Sequence, residues 1–251
     1  VYDLSSGVNS FSDLYDIHDY GNFIGSQGND IMLGSGSYGV GMTGGIGDDV
    51  LYGNSLDSLR YDLEEDLVTE DIMGSALNKI NNHVEINLGD NDLKLNDILI
   101  DSRTAEDMWG DTDTIFGIEN AYGTSGDDAI FGSDNDNEIY AGSGDDIIYG
   151  GSGHDVLDGG DGSDMFVFLQ SDLEANNNDI DIINNFNIND DKISFDTLGM
   201  NDVQIDFIDN EGAADAVLTF NDQADWGSII LVDVGRLDTD DIIIDSGVSV
   251  G

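Results

Sequence analysis

From Gly123 to Val167 the chain alternates between six residues rich in glycine, aspartate and serine and three whose middle member is apolar. The units are GTSGDDAIF (123–131), GSDNDNEIY (132–140), AGSGDDIIY (141–149), GGSGHDVLD (150–158) and GGDGSDMFV (159–167). Ile130, Ile139, Ile148, Leu157 and Phe166 hold the apolar position. A fixed short period marks a repeat architecture. Each unit offers one turn and one short strand with a single inward side chain. Such a strand is stable only when stacked on others of its kind. Two units complete a coil, and strands two units apart then stack in parallel at about 4.8 Å. Two sheets face each other through the apolar positions. The expected fold is all-β: a flattened parallel roll with a short helical and strand excursion and an antiparallel C-terminal cap.

A shorter array lies earlier. GSQGNDIML (25–33) and GGIGDDVLY (44–52) flank a degenerate GSGSYGVGMT (34–43) that is one residue longer, so Asp30 and Asp49 still fall on adjacent turns. The pattern divides the chain into a short array (1–53), an excursion (54–108), the main roll (109–168) and a cap (169–251). Leu63, Leu67, Ile72, Met73, Ala76, Leu77 and Ile80 have helical spacing over 62–80. HVEINL and DLKLNDILI alternate as strands, as do VQIDFID, AVLTF and SIILVDV in the cap. A cap is needed because a solenoid end exposes strand edges. Outward positions on one face are Ala129, Phe131, Ile147, Tyr149, Met165 and Val167. They are too apolar to stay wet, so the cap or the 62–80 helix is expected to fold over them.

Charge changes the picture most. Six basic residues face 54 acidic ones, a formal net charge of −48. Self-repulsion on that scale opposes compactness, and nucleic acid and anionic membrane surfaces are poor partners for it, so neither nucleic-acid binding nor membrane insertion is expected. With no cysteine there are no disulfides or thiolate metal sites. No apolar run is long enough to insert in a membrane. The opening at Val1, without a leader-like segment, is expected of a piece of a longer chain. With 33 glycines and no proline, the turns are glycine-made.

Stacking places Asp128, Asp146 and Asp164 in one row and Asn137 and Asp155 in the other. Carboxylates at sheet spacing repel, and a hard cation between consecutive turns reverses that. Backbone carbonyls in turns opened by Gly123, Gly126, Gly142, Gly144, Gly151, Gly153, Gly160 and Gly162 add oxygen ligands. An oxygen-only, crowded and flexible site suits Ca²⁺ better than Mg²⁺. Ions are expected between 128 and 146, 146 and 164, 137 and 155, and between Asp30 and Asp49: at least four. Asp57 is a candidate to close the end of the early array.

GGSGHDVLD and GGDGSDMFV match every fixed position of GGxGxDxUx, the RTX (repeats-in-toxin) nonapeptide, which the array resembles. AGSGDDIIY and GTSGDDAIF each miss one glycine. Asn135 and Asn137 depart further and weaken the 137/155 site. The run 111–128 resembles the lead-in to such arrays and carries Asp113, with Asp111, Glu119 and Asn120, as a candidate ligand for the first ion. Residues 181–195 resemble the segment that often follows them. The resemblance implies a calcium-dependent β-roll from a type I-secreted, extracellular protein, with the secretion machinery as partner and a signal near the C-terminus. The reading is a monomeric module of a large surface adhesin. Its alternatives are the tail of a secreted hydrolase or toxin, or a module binding sugar or peptide through 54–108. No catalytic role is expected: there is no HExxH, no G-x-S-x-G, and paired acids alone say nothing. DNDNEIYAG lacks the EF-hand glycine. The Ser/Asp residues between repeat glycines give no flat Thr/Asn rank for ice binding.

Overall fold

A computed structural model of the protein describes residues 2–3, 14–17, 21–25, 28–34, 38–63, 83–95, 98–175, 180–196, 203–210, 213–220, 227–232, 234 and 244–245. Among these residues two 11-stranded sheets make up the roll. Sheet 1 runs in space through Tyr2–Asp3, Gly21–Ile24, Val40–Thr43, Ser58–Arg60, Asn120–Tyr122, Glu138–Ser143, Val156–Asp161, Ile180–Asn184, Ser228–Leu231, Ala213–Phe220 and Val203–Asn210. Sheet 2 runs through Leu14–Ile17, Ile31–Gly34, Val50–Tyr52, Thr112–Phe116, Thr104–Glu106, Glu85–Asn87, Ala129–Ser133, Ile147–Gly151, Met165–Phe168, Lys192–Phe195 and Ile244–Asp245.

In the main array successive strands alternate between the sheets, and the register is that of the repeat. Ile130 pairs with Ile148 and Ile148 with Phe166 in sheet 2; Ile139 pairs with Leu157 in sheet 1. All five are 0% exposed and lie in one core between the sheets. The early array stacks in the same way despite its extra residue, with Ile31 on Val50.

Parallel stacking does not stop where the nonapeptides stop. Ile180–Asn184 pairs with Val156–Asp161, Lys192–Phe195 with Met165–Phe168, and Ser228–Leu231 with Ile180–Asn184, all in parallel. The reason is that 180–195 keeps the one feature a coil needs, an inward aliphatic per strand: Ile183 and Ile193 are fully buried. The antiparallel cap is the far edge of sheet 1, where Ala213–Phe220 lies between Ser228–Leu231 and Val203–Asn210.

The excursion is woven into both sheets. Ser58–Arg60 stacks directly under Asn120–Tyr122. In sheet 2, Thr112–Phe116 stacks on Val50–Tyr52. Glu85–Asn87 and Thr104–Glu106 then come between it and the main array, the latter antiparallel to both neighbours.

Among the described residues the apolar outer face of sheet 2 is covered by a hairpin of the excursion, which was not expected there, and by the first residues of the cap. An antiparallel hairpin, Leu93–Leu95 with Ile98–Ile100, lies on it. Leu95 and Ile100 join Ala129, Phe131, Val167 and Leu169 in a second core, with Ile147, Tyr149 and Met165 at its margin. A short helix, Gln170–Ala175, seals one side, with Tyr149 Oη donating to Asp172 Oδ2 at 2.6 Å. The helix expected over 62–80 lies, beyond its first two residues, outside the described residues; Tyr61–Leu63 forms a 3-10 turn. The hairpin covers the face because the alternation of DLKLNDILI gives it a continuous apolar side, with Leu99 turned out at 58% exposure.

Leu95→Ala is expected to cost about 2–5 kcal/mol, since it leaves a cavity in a closed cluster, and Leu99→Ala less than about 0.5 kcal/mol. Urea unfolding of both variants in one buffer measures the contrast.

Candidate metal centre

Turns of the roll form two rows, and the sixth residue of each unit sits in them. Asp30, Asp49, Asp128, Asn137, Asp146, Asp155 and Asp164 are each 1–2% exposed. They are bound to one another's backbone. The N–H of Asp128 donates to Asp146 Oδ1 (2.7 Å), and that of Asp146 to Asp164 Oδ1 (3.0 Å). Asn137 N–H donates to Asp155 Oδ1 (2.9 Å), and Asp30 N–H to Asp49 Oδ1 (2.5 Å). Each side chain thus reaches back one coil. The fifth position reaches forward: Asp127 Oδ1 accepts from Asp145 N–H, Asp145 Oδ1 from Ser163 N–H and Asp136 Oδ1 from His154 N–H, at 2.9–3.0 Å.

The ladder extends beyond the residues read from the motif. Asp155 N–H donates to Asp181 Oδ1 (3.1 Å) and Asp164 N–H to Asp191 Oδ1 (3.0 Å). Asp57 plays the same part for Val40 N–H (2.9 Å). The signal was present in the sequence, since DII at 181–183 and DKI at 191–193 repeat the aspartate-to-aliphatic spacing of the units. Asp113 joins Asp49, whose N–H donates to its Oδ1 (3.0 Å), with Tyr61 Oη on its Oδ2 (2.7 Å). It therefore extends the early row; two strands separate it from Asp128, where Val84 N–H donates instead (2.7 Å). Glu119 and Asn120 meet the other row: Asn137 Nδ2 donates to the Glu119 carbonyl (2.7 Å), and Asn120 Oδ1 accepts from Glu138 N–H (3.0 Å).

In five of the turns the second position of the unit goes with what the remaining side-chain oxygen does. With Thr124 or Ser133 there, the N–H of that residue closes onto Asp128 Oδ2 (2.6 Å) or Asn137 Oδ1 (2.8 Å). With Gly45, Gly142 or Gly160 there, each at positive φ, the Oδ2 of Asp49, Asp146 or Asp164 is buried without a hydrogen-bond partner. Gly151, Gly153, Gly144 and Gly162 also sit in the turns at positive φ. Gly144 shows why a side chain is not tolerated: its Cβ would fall on the carbonyl of Gly126, one coil below. Gly123 is closed from the other direction, by Asp128 Oδ2 in its own turn.

Orphaned carboxylate oxygens and crowded carbonyls form a donor set of oxygen alone, which fits Ca²⁺. Among the described residues no three His, Asp or Glu side chains are grouped to hold one ion, so carbonyls must supply much of any shell. The ion pairs among these residues, Arg60–Asp62 and Arg103–Asp90, involve none of the row.

The RTX calcium-binding nonapeptide repeat (4 copies) family profile matches residues 42–55, 113–147, 122–157 and 131–166. The chain carries an RTX calcium-binding repeat region. Comparison with curated proteins gives no match. Among solved structures the chain is similar to the extracellular lipase LipA from Serratia marcescens, with 19% identity over 90% of this chain and a TM-score of 0.27. It spans 40% of that lipase.

Burial pushes the RTX carboxylates upward: Asp146 and Asp49 to about 8, each raised further by neighbouring aspartates, and Asp128 and Asp164 to about 6. A raised folded-state pKa means the metal-free fold binds protons more tightly than the unfolded chain. Its stability is therefore fully present below the ordinary carboxylate value of 3.8 and is lost as pH rises toward about 8. Circular dichroism in chelator is expected to show more structure at pH 5 than at pH 8. Gly144→Ala, by contrast, is expected to unfold the metal-free chain further at either pH and to weaken calcium-induced folding, read by the same signal.

Proposed function

We propose that the chain is an extracellular folding module: unfolded while calcium is scarce, as export through a type I machinery needs, and locked into the roll where calcium is abundant. The observation that carries this reading is the set of buried, unpartnered Oδ2 atoms of Asp49, Asp146 and Asp164 in turns whose second residue is glycine. In each, the ion would be held by that carboxylate together with turn carbonyls of the coil below. By sequence the Asn137/Asp155 turn, with Gly151 at its second position, is a further expected site, for at least four ions with the Asp30/Asp49 position included. The ions would supply positive charge between stacked acids and nothing chemical beyond it.

The energetics suffice. A site with calcium about 100-fold above its Kd adds about 2.7 kcal/mol. Four independent sites would add about 11 kcal/mol, which is comparable to the whole stability of a domain. Because each coil touches only its neighbours, folding is cooperative in calcium. The device is indifferent to its cargo: a surface adhesin and a secreted hydrolase would use it alike, as a monomeric segment of a longer chain.

Circular dichroism against calcium tests this, with magnesium as control. A sharp calcium-dependent gain of β signal, absent with magnesium, is expected; equal structure in chelator and in calcium at neutral pH would sink the reading. Asp146→Asn is expected to lower stability in saturating calcium by about 2–3 kcal/mol, the contribution of one site, measured by urea unfolding.

A further inference from the structure

We propose that a cavity beside Asp158, on the outer face of sheet 1, binds a neutral saccharide. Outward positions of that face form one row by register: Arg60 lies beside Tyr122, Tyr122 beside Tyr140, Tyr140 beside Asp158 and Asp158 beside Asn184. The row begins as a stack. The Arg60 guanidinium is 4.2 Å from the centroid of the Tyr122 ring, and the Tyr122 and Tyr140 rings stack at 4.8 Å. A third ring would continue it. The unit GGSGHDVLD ends instead in Asp158, where the two units before it end in Tyr140 and Tyr149. The stack stops there, and a cavity of about 520 Å³ opens, lined among the described residues by Asp158, Asn184, Asn185, Phe186 and Val232.

The polar groups of the cavity are held in place. Asp158 is half-buried and accepts from Asn185 Nδ2 at 2.6 Å and from the Gly160 N–H. Asn185 reaches it across 27 residues from a positive φ of 56°, a backbone conformation that Asn tolerates better than most residues. This chemistry selects the ligand. A carboxylate only accepts, whereas an amide donates and accepts; together they match neighbouring hydroxyls, each of which does both. Phe186, 5% exposed, and Val232 supply an apolar wall for the C–H face of a sugar ring. No Lys or Arg lines the cavity among the described residues, and a net charge of −48 repels anions. The same residues include no group of three acids fit to hold a metal. A peptide cannot add as a strand here, because Val156–Asp161, Ile180–Asn184 and Ser228–Leu231 are each paired on both sides. Recognition therefore falls to side chains, in a space within the roughly 300–1,000 Å³ of small-molecule sites. The site uses none of the turn carboxylates and no residue of 54–108.

A glycan array carrying neutral, sialylated and sulfated oligosaccharides, probed with the full chain folded in calcium, tests this. Retention on neutral glycans is expected, with none on the charged ones. Asp158→Tyr places the missing third ring in the cavity. It is expected to weaken binding of the best-retained neutral glycan by about 10- to 100-fold in titration calorimetry, with the calcium-induced dichroism kept. Asn185→Gly suits the same backbone conformation and removes only the amide; a loss of about tenfold is expected. A chain that retains no neutral glycan overturns the proposal, as does one that retains only charged glycans. An Asp158→Tyr chain that binds as tightly as its parent overturns it too. Should Asp158→Tyr not fold, Asn185→Gly decides in its place, and undiminished affinity in that variant overturns the proposal.

Discussion

Carboxylates buried at sheet spacing are the constraint from which the rest of this molecule follows. Two charges about 4.8 Å apart, in surroundings of effective dielectric about 20, repel by about 3–4 kcal/mol. A hydrogen bond to a charged group returns about 1.5–3 kcal/mol. The N–H that each aspartate receives from the coil below is thus of the same size as the repulsion it relieves. It leaves the cost of burying the charge standing, several kcal/mol per ion. Protons or cations must cover that difference. With −48 overall and six basic residues in the chain, side chains cannot do so.

The turns are not equivalent in how they meet this constraint. Thr124 and Ser133 close their carboxylate or amide with a backbone N–H inside the same turn. The turns with Gly45, Gly142 and Gly160 at that position leave the oxygen open. Asn137 goes further: its amide donates to the Glu119 carbonyl and carries no charge. The sequence departures in GTSGDDAIF and GSDNDNEIY are therefore physically consistent with each other. Both lie where the main array begins and each replaces part of an ion's task with hydrogen bonds that need no ion.

The periodic part of this architecture was legible in the sequence because phase alone determines it. Ile130, Ile148 and Phe166 stack since they recur at one position, and Asp128, Asp146 and Asp164 follow. What could not be read were pairings made without a period. Asp113 stacks on Asp49 across 64 residues, a distance no motif encodes. Asp107 enters the row from an antiparallel strand, so its spacing to the next acid carries no signal. The hairpin at 93–100 was visible as two apolar alternations, but not as the cover of Phe131 and Val167, because either of two other segments offered an apolar side. Asp181 and Asp191 were hidden only by the loss of glycines around them.

The excursion also sets how far calcium-linked order travels. Along the sheet 2 turn row the acids run from Asp30 through Asp49 and Asp113 to Asp107, and resume at Asp128. Between them stands Val84, whose N–H serves Asp128 but whose side chain offers an ion nothing. A shared cation cannot bridge that step, so coupling between the two acid runs passes through sheet 1, where Leu59 pairs with Ala121 and Ala121 with Ile139 without interruption. That path is apolar packing, fully buried, and it is indifferent to the ion. Under the calcium reading proposed above, each array would titrate calcium within its own run of acids, while the shared core would make the second array easier to fold once the first has formed.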